Sequence, residues 1–148
     1  MKTLPAGPIL FDTTIYIRFI RGDKYEWLDD PRLVKRTILT AVVAAELYAG
    51  TRTPGDKRAL EELCSSHSNL GHFQSPLAEA WIQTGILIRR ARTLFGELGF
   101  AHHFRDGLIA LEAVRAQATL VTENVADFRR WKSLIASTNM TLKLFNPA

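Results

Sequence analysis

The 148-residue chain has a single cysteine, Cys64. One thiol can form no internal disulfide, and with no second cysteine there is no thiolate metal centre; both absences suit a reducing compartment. Long apolar runs are missing as well. None approaches the roughly 18–20 residues of a membrane span, and the N-terminal apolar stretch 9–20, which could have served as a signal sequence, is interrupted by Asp12. These absences predict a cytoplasmic protein with no membrane contact. A strong charge of either sign is also lacking. The net charge of +4 and pI near 9.5, with most of the excess in residues 75–148, permit a nucleic-acid partner without requiring one. No internal repeat or low-complexity tract is present.

What remains is ordinary material for one core. Hydrophobic residues make up 47% and charged residues 23%, close to the globular average. The length is that of one domain, so residues 1–148 are expected to form a single unit. Pro8–Phe11 reads as a short apolar strand ending on Asp12, followed by Thr13, Thr14 and a β-branched, aromatic stretch, Ile15–Ile17. Arg21-Gly22-Asp23 is a turn, and Tyr25–Leu28 a short helical piece closed before Pro31. A second strand is expected at Arg36–Leu39; Thr40 then caps an alanine-rich helix that stops at Gly50 and carries Glu46 in its second turn.

A loop at Thr51–Gly55 leads to a surface helix from Asp56 to about Ser65, and Ser66–Gln74 is ambiguous between loop and weak strand. Ser75-Pro76 has the form of an N-cap and first helical residue opening a long helix that ends near Gly99. Another helix is expected at Leu108–Ala116 with Asp106 at or just inside its N-terminus, then a buried strand at Thr119–Thr122 and a last strand at about Met140–Phe145. Strands alternating with helices predict an α/β domain with a mostly parallel central sheet flanked by helices, because parallel strands need crossovers.

Open α/β sheets bind ligands at the C-terminal ends of their strands. Asp12 lies at one such end, and Glu123, Asn124 and Asp127 follow another; Glu46 and Asp106 sit near helix starts. If these acids converge, mutual repulsion raises their pKa values unless a hard divalent cation joins them. Each also has an ordinary structural alternative. Asp12 suits a turn, Asp106 a helix N-cap and Asp127 the cap of a short helix. Glu46 alone would face solvent, but Val42, Val43, Ala45, Leu47 and Ala49 make its helix apolar on most sides.

Four blocks carry a family resemblance: Ile9–Ile17, Ala44–Gly50, Arg105–Ala110 and Leu120–Phe128. In this order the chain resembles the PIN-domain ribonucleases, and among them the VapC-like toxins of type II toxin-antitoxin pairs. The resemblance implies a PIN-like fold and Mg²⁺- or Mn²⁺-dependent hydrolysis of RNA phosphodiesters. It implies that Asp12, Glu46 and Asp106 hold metal, with Asp127 as the fourth catalytic acid and Thr13 and Asn124 in support. Its implied partners are an RNA substrate, a small VapB-like antitoxin that places a basic or bulky side chain in the acidic pocket, and a second copy of the chain. Two positions depart from the family pattern: Thr14 stands where Asn or Ser is frequent, and the neutral Asn124 stands where an acid is frequent, with Glu123 beside it. The fourth acid is therefore Asp127 or Glu123, and one or two metals remain open.

Other candidates fit less well. His102 and His103 precede Asp106, but adjacent histidines diverge and hard Mg²⁺ prefers oxygen. Arg89, Arg90 and Arg92 form one basic patch and Arg129, Arg130 and Lys132 another, each read as a solvated face with phosphate contact as the alternative. Trp27, Trp81 and Trp131 are read as core or interface rather than base-stacking platforms. An aspartyl-phosphate hydrolase of the haloacid dehalogenase type needs a second Asp two residues after the first, where Thr14 stands. A receiver domain needs an acidic pair and a later strand-end lysine, neither of which is evident. The serious rival is a PIN-like module that has lost cleavage and only binds RNA or a protein.

Overall fold

The computed structural model describes residues 2–96 and 100–148. The apolar trio Ile9–Phe11 forms strand β1, and four more strands follow: β2 (Thr37–Thr40), β3 (Phe73–Gln74), β4 (Thr119–Val121) and β5 (Lys143–Phe145). Every pairing is parallel and the order is β3-β2-β1-β4-β5. Such a sheet is covered on both faces, which is why Ile9, Leu10, Phe11, Leu120 and Val121 are buried without polar alternation. The covering helices are α1 (Thr13–Ile20), α2 (Pro31–Val34), α3 (Ala41–Gly50), α4 (Pro54–Asn69), α5 (Ala78–Phe95), α6 (Phe100–Arg115) and α7 (Val125–Ala136). The expected α/β class with a parallel sheet and flanking helices is what forms. Among the described residues no helix is long and apolar enough to cross a membrane.

The order places the functional end of the sheet. From β1 the chain moves to β2 on one side, while β4 pairs with β1 on the other, so the crevice beyond the C-terminal ends of β1 and β4 is the topological switch point. Register makes this specific. Ile9 pairs with Thr119 and Phe11 with Val121, which sets Asp12 beside Thr122 just past the two strand ends.

Several elements differ from the sequence expectation. The β-branched stretch Ile15–Ile17, given no element from the sequence, is helical in α1, because Asp12 caps the helix and the burial of Ile15 and Tyr16 outweighs local propensity. Helix α4 begins at Pro54 under a Thr53 cap and runs to Asn69, taking in part of the expected loop and of the ambiguous segment. Ser75-Pro76 is not the start of α5. Proline keeps the residue before it extended, and Leu77, also extended, occupies the N-cap with no side-chain hydrogen bond. That helix ends at Phe95 on Gly96, whose φ of 81° suits glycine; Gly99 lies outside the described residues. Helix α6 starts at Phe100, well before Leu108, so Asp106 stands in its second turn and not at its N-terminus. Phe104 against Trp81, with ring centroids 5.0 Å apart, ties that early part of α6 to α5. Of the tryptophans, Trp131 is core and Trp27 packs on it, whereas Trp81 is half exposed.

Candidate active site

Asp12 leaves β1 as the N-cap of α1 and is 4% exposed. One carboxylate oxygen accepts from the Thr14 backbone N–H (3.1 Å) and hydroxyl (2.5 Å), and the other from the Thr122 hydroxyl (2.5 Å). Burial raises its pKa, and the hydrogen bonds from Thr122, Thr14 and the Ile15 N–H offset that only in part. Thr122 in turn accepts the Asn124 N–H at 2.9 Å, which links the ends of β1 and β4 to the start of α7.

Glu46 comes from the second turn of α3, which packs across α1 and α6. Its Oε1 accepts from the Thr13 hydroxyl at 3.1 Å, and its Oε2 pairs with Arg105 at 3.0 Å. Crossover helices run back along the sheet, so the early turns of α6 lie over the C-terminal strand ends, and this carries Asp106 to the same crevice. Gly107 sets how closely α6 can sit: a Cβ there would meet Trp131 at 2.5 Å and Thr84 at 2.7 Å. The Asp106 carboxyl is pushed up to about 6, first by burial and then by the charges of Asp127, Glu46 and Asp12, with Arg105 opposing. Asp127, in the first turn of α7, accepts from the Asn124 side-chain amide at 2.9 Å.

These residues line one pocket of about 280 Å³. Asp12, Glu46, Asp106 and Asp127 share it with Thr13, Thr14, Asn124 and Arg105. All four proposed catalytic acids are thus gathered from four different elements, as are both proposed supporting residues. Glu123 is not among them. It is held by the Tyr25 hydroxyl, by Arg18 at 3.3 Å and by Lys24 at 4.0 Å. Neither basic patch lines the pocket, nor does His103; the His102 side chain lies outside the described residues.

Two participants carried no assigned role in the sequence reading. Thr122 becomes visible once β1 and β4 are aligned in parallel, since each is followed at once by a polar residue. Arg105 had no local signal, because its value depends on α3 reaching α6.

The donor set suits a hard divalent cation: all the strong ligands are carboxylate or hydroxyl oxygens, and their mutual repulsion raises Asp106. As they stand, the side chains are drawn to internal partners. Among the described residues no three His, Cys, Asp or Glu groups are close enough to share an ion. Glu46 is turned toward Thr13 and Arg105, and both Asp12 oxygens are taken by threonines. Receiving a cation would chiefly require the partly exposed Glu46–Arg105 pair to open, with Asp12 still held by its threonines.

No protein-family model matches the sequence, and no curated protein matches it at a significant level. Solved structures do. One is a structure of FitAB bound to an IR36 DNA fragment, similar at TM-score 0.66 and 22% identity over 94% of each chain. Another is VapBC2 from Rickettsia felis bound to a DNA fragment from its promoter, at TM-score 0.64 and 22% identity over 95% of this chain and 98% of that one. A third is DNA-bound VapBC from Salmonella typhimurium, at TM-score 0.66 and 19% identity over 95% and 98%. The fold is PIN-like. Within the PIN-like frame the acidic pocket occupies the switch point at the C-terminal edge of the sheet, where α/β folds place their ligands.

Proposed function

We propose that this PIN-like chain, acting as one domain over residues 1–148, is a metal-dependent endoribonuclease and the toxin of a toxin-antitoxin pair. The observation that carries this reading is the convergence of Asp12, Glu46, Asp106 and Asp127 on one pocket at the sheet's switch point. Four carboxylates in a small volume are a poor binding surface for a phosphodiester, and a sensible one for a cation that in turn receives it. Asp12, Glu46 and Asp106 are the residues that would hold Mg²⁺ or Mn²⁺. When bound, such an ion lowers the pKa of a water and neutralises charge on the phosphate and leaving oxygen.

The remaining roles belong to the chain. Thr14 and Thr122 fix Asp12 by hydrogen bonds to both oxygens, so its direction is set before any ligand arrives. Thr13 holds one oxygen of Glu46 and leaves the other to Arg105. Asp127, which accepts a hydrogen bond from the Asn124 amide, would take a proton from the attacking water. Arg105 screens the acids through Glu46 and, released from it, offers its guanidinium to a phosphate oxygen.

The neighbouring VapBC and FitAB structures support an antitoxin partner by analogy of fold. A basic side chain from such a partner would compete for the same carboxylates. Pairing with a second copy is supported by an exposed apolar face on and before α5, where Leu77, Trp81, Ile82 and Ile86 are 47–67% exposed. Light scattering of wild type and Ile82→Glu protein tests that pairing. For the toxin role, induced expression in a bacterium should arrest growth with loss of RNA integrity. Asp12→Asn should relieve the arrest at equal protein level; equal arrest by that variant would defeat the proposal.

A further inference from the structure

Beside the acidic pocket lies a second one of about 290 Å³, and Ile17 and Glu46 line both, so the two adjoin. Building on the ribonuclease reading, we propose that this second pocket is a subsite for the RNA strand. In it Arg21 and Arg52 hold a backbone phosphate next to the one that is cleaved. Three observations lead there.

The first is the unused charge. Arg18, Arg32, Arg105 and Arg115 each pair with a carboxylate, whereas Arg21 and Arg52 are exposed and, among the described residues, have no acid within ion-pairing distance. The second is the floor between them. Ile17 and Ile20 lie on one side of α1 and Leu47 on α3, giving an apolar wall against which a base or ribose can rest while the phosphates stay with the arginines. The third is direction. A strand whose phosphate reaches Asp12 and Asp106 must leave the acidic pocket, and past the shared residues Ile17 and Glu46 the adjoining pocket is the one that holds the two arginines. Asp56 also lines this pocket and repels an anion on its side, which restricts the phosphate to the arginine side. A peptide partner could use the apolar wall, but two unpaired guanidinium groups adjoining a phosphodiester site match nucleic acid better.

The test measures binding without turnover. A fluorescein-labelled single-stranded RNA is titrated, in Mg²⁺, with Asp106→Asn protein, and with the same protein carrying Arg21→Ala and Arg52→Ala. A third protein carries Arg89→Ala and Arg92→Ala on α5, two exposed positions that line neither pocket, as a control for the same loss of net charge. Circular dichroism checks folding; Asp12→Asn serves as an alternative background. Loss of both arginines should weaken binding about tenfold or more and lower the salt slope by about 0.7, the value for one lost phosphate contact on a single strand. The protein with both α5 arginines replaced should stay within about twofold of its parent. A double variant at Arg21 and Arg52 indistinguishable from the control overturns the subsite and leaves the pocket to a protein, and absence of any RNA binding overturns it too. Failure of the ribonuclease reading looks different: wild type would not cleave, yet binding would still depend on Arg21 and Arg52.

Discussion

Asp106→Asn should make the cation-free protein more stable near pH 7.5, although it removes a residue placed in the site. The carboxyl is pushed up from 3.8 to about 6 by burial and by the neighbouring charges of Asp127, Glu46 and Asp12. Its folded pKa therefore lies above the unfolded one, so between about pH 4 and 6 the native state binds more protons than the unfolded state. Stability falls as pH rises through that window, and the cost is fully present above it. Full transfer of that shift would be worth about 3 kcal/mol at 1.36 kcal/mol per pH unit. The side chain is only partly buried, so solvent screening reduces the expected effect to about 1–2 kcal/mol. Urea unfolding in EDTA, followed by tryptophan fluorescence at pH 4.5 and 7.5, gives the comparison. The asparagine variant should exceed wild type at pH 7.5, and by only about a third as much at pH 4.5. Adding Mn²⁺ at pH 7.5 should stabilise wild type more than the variant, since wild type alone has the third proposed ligand. An Asp106→Asn protein less stable than wild type at pH 7.5, or one with the same pH dependence, would refute the repulsion argument.

Thr122→Val keeps shape but leaves the buried Asp12 Oδ2 without its hydroxyl donor and the Asn124 N–H without its acceptor, which should cost about 1–3 kcal/mol in chemical denaturation. Gly107→Ala forces a methyl against Trp131 and Thr84 and should cost about 1–3 kcal/mol, read as a lowered Tm with an altered near-ultraviolet dichroism of Trp131. If Asp127 is the fourth acid, Asp127→Asn should reduce RNA cleavage by about 100-fold, the lower range for loss of a positioned proton acceptor. Glu123→Gln should leave the rate within a few-fold of wild type, because Glu123 faces Tyr25, Arg18 and Lys24. Arg105→Ala removes an exposed ion pair and should shift stability by less than about 1 kcal/mol. Calorimetry should show tighter Mn²⁺ binding to that variant, since no internal cation then competes for Glu46.

What the sequence made legible was governed by local pattern. The apolar trios Ile9–Phe11 and Thr119–Val121 read as buried parallel strands, and Thr40 and Gly50 bracketed α3, so Asp12 and Glu46 were placed correctly before any coordinates. Asp106, expected at or just inside a helix N-terminus, stands instead in the second turn of α6. The start of α6 depends on Phe104 meeting Trp81, a contact that no local capping signal announces. The choice between Asp127 and Glu123 was beyond the sequence for a related reason. Both follow β4, and only the distant Tyr25 and Arg18 draw Glu123 away from the pocket. The Arg105–Glu46 pair likewise spans 59 positions and exists only because α3 packs on α6.

The central claim is that the gathered carboxylates serve a cation for phosphodiester hydrolysis. It is tested most directly by single-turnover cleavage of an end-labelled RNA by purified wild-type and Asp12→Asn proteins, each in Mn²⁺ and in EDTA. Cleavage by wild type in Mn²⁺ alone, with none from the folded Asp12→Asn protein, is the predicted result. Equal cleavage by both proteins, or undiminished cleavage in EDTA, would contradict it.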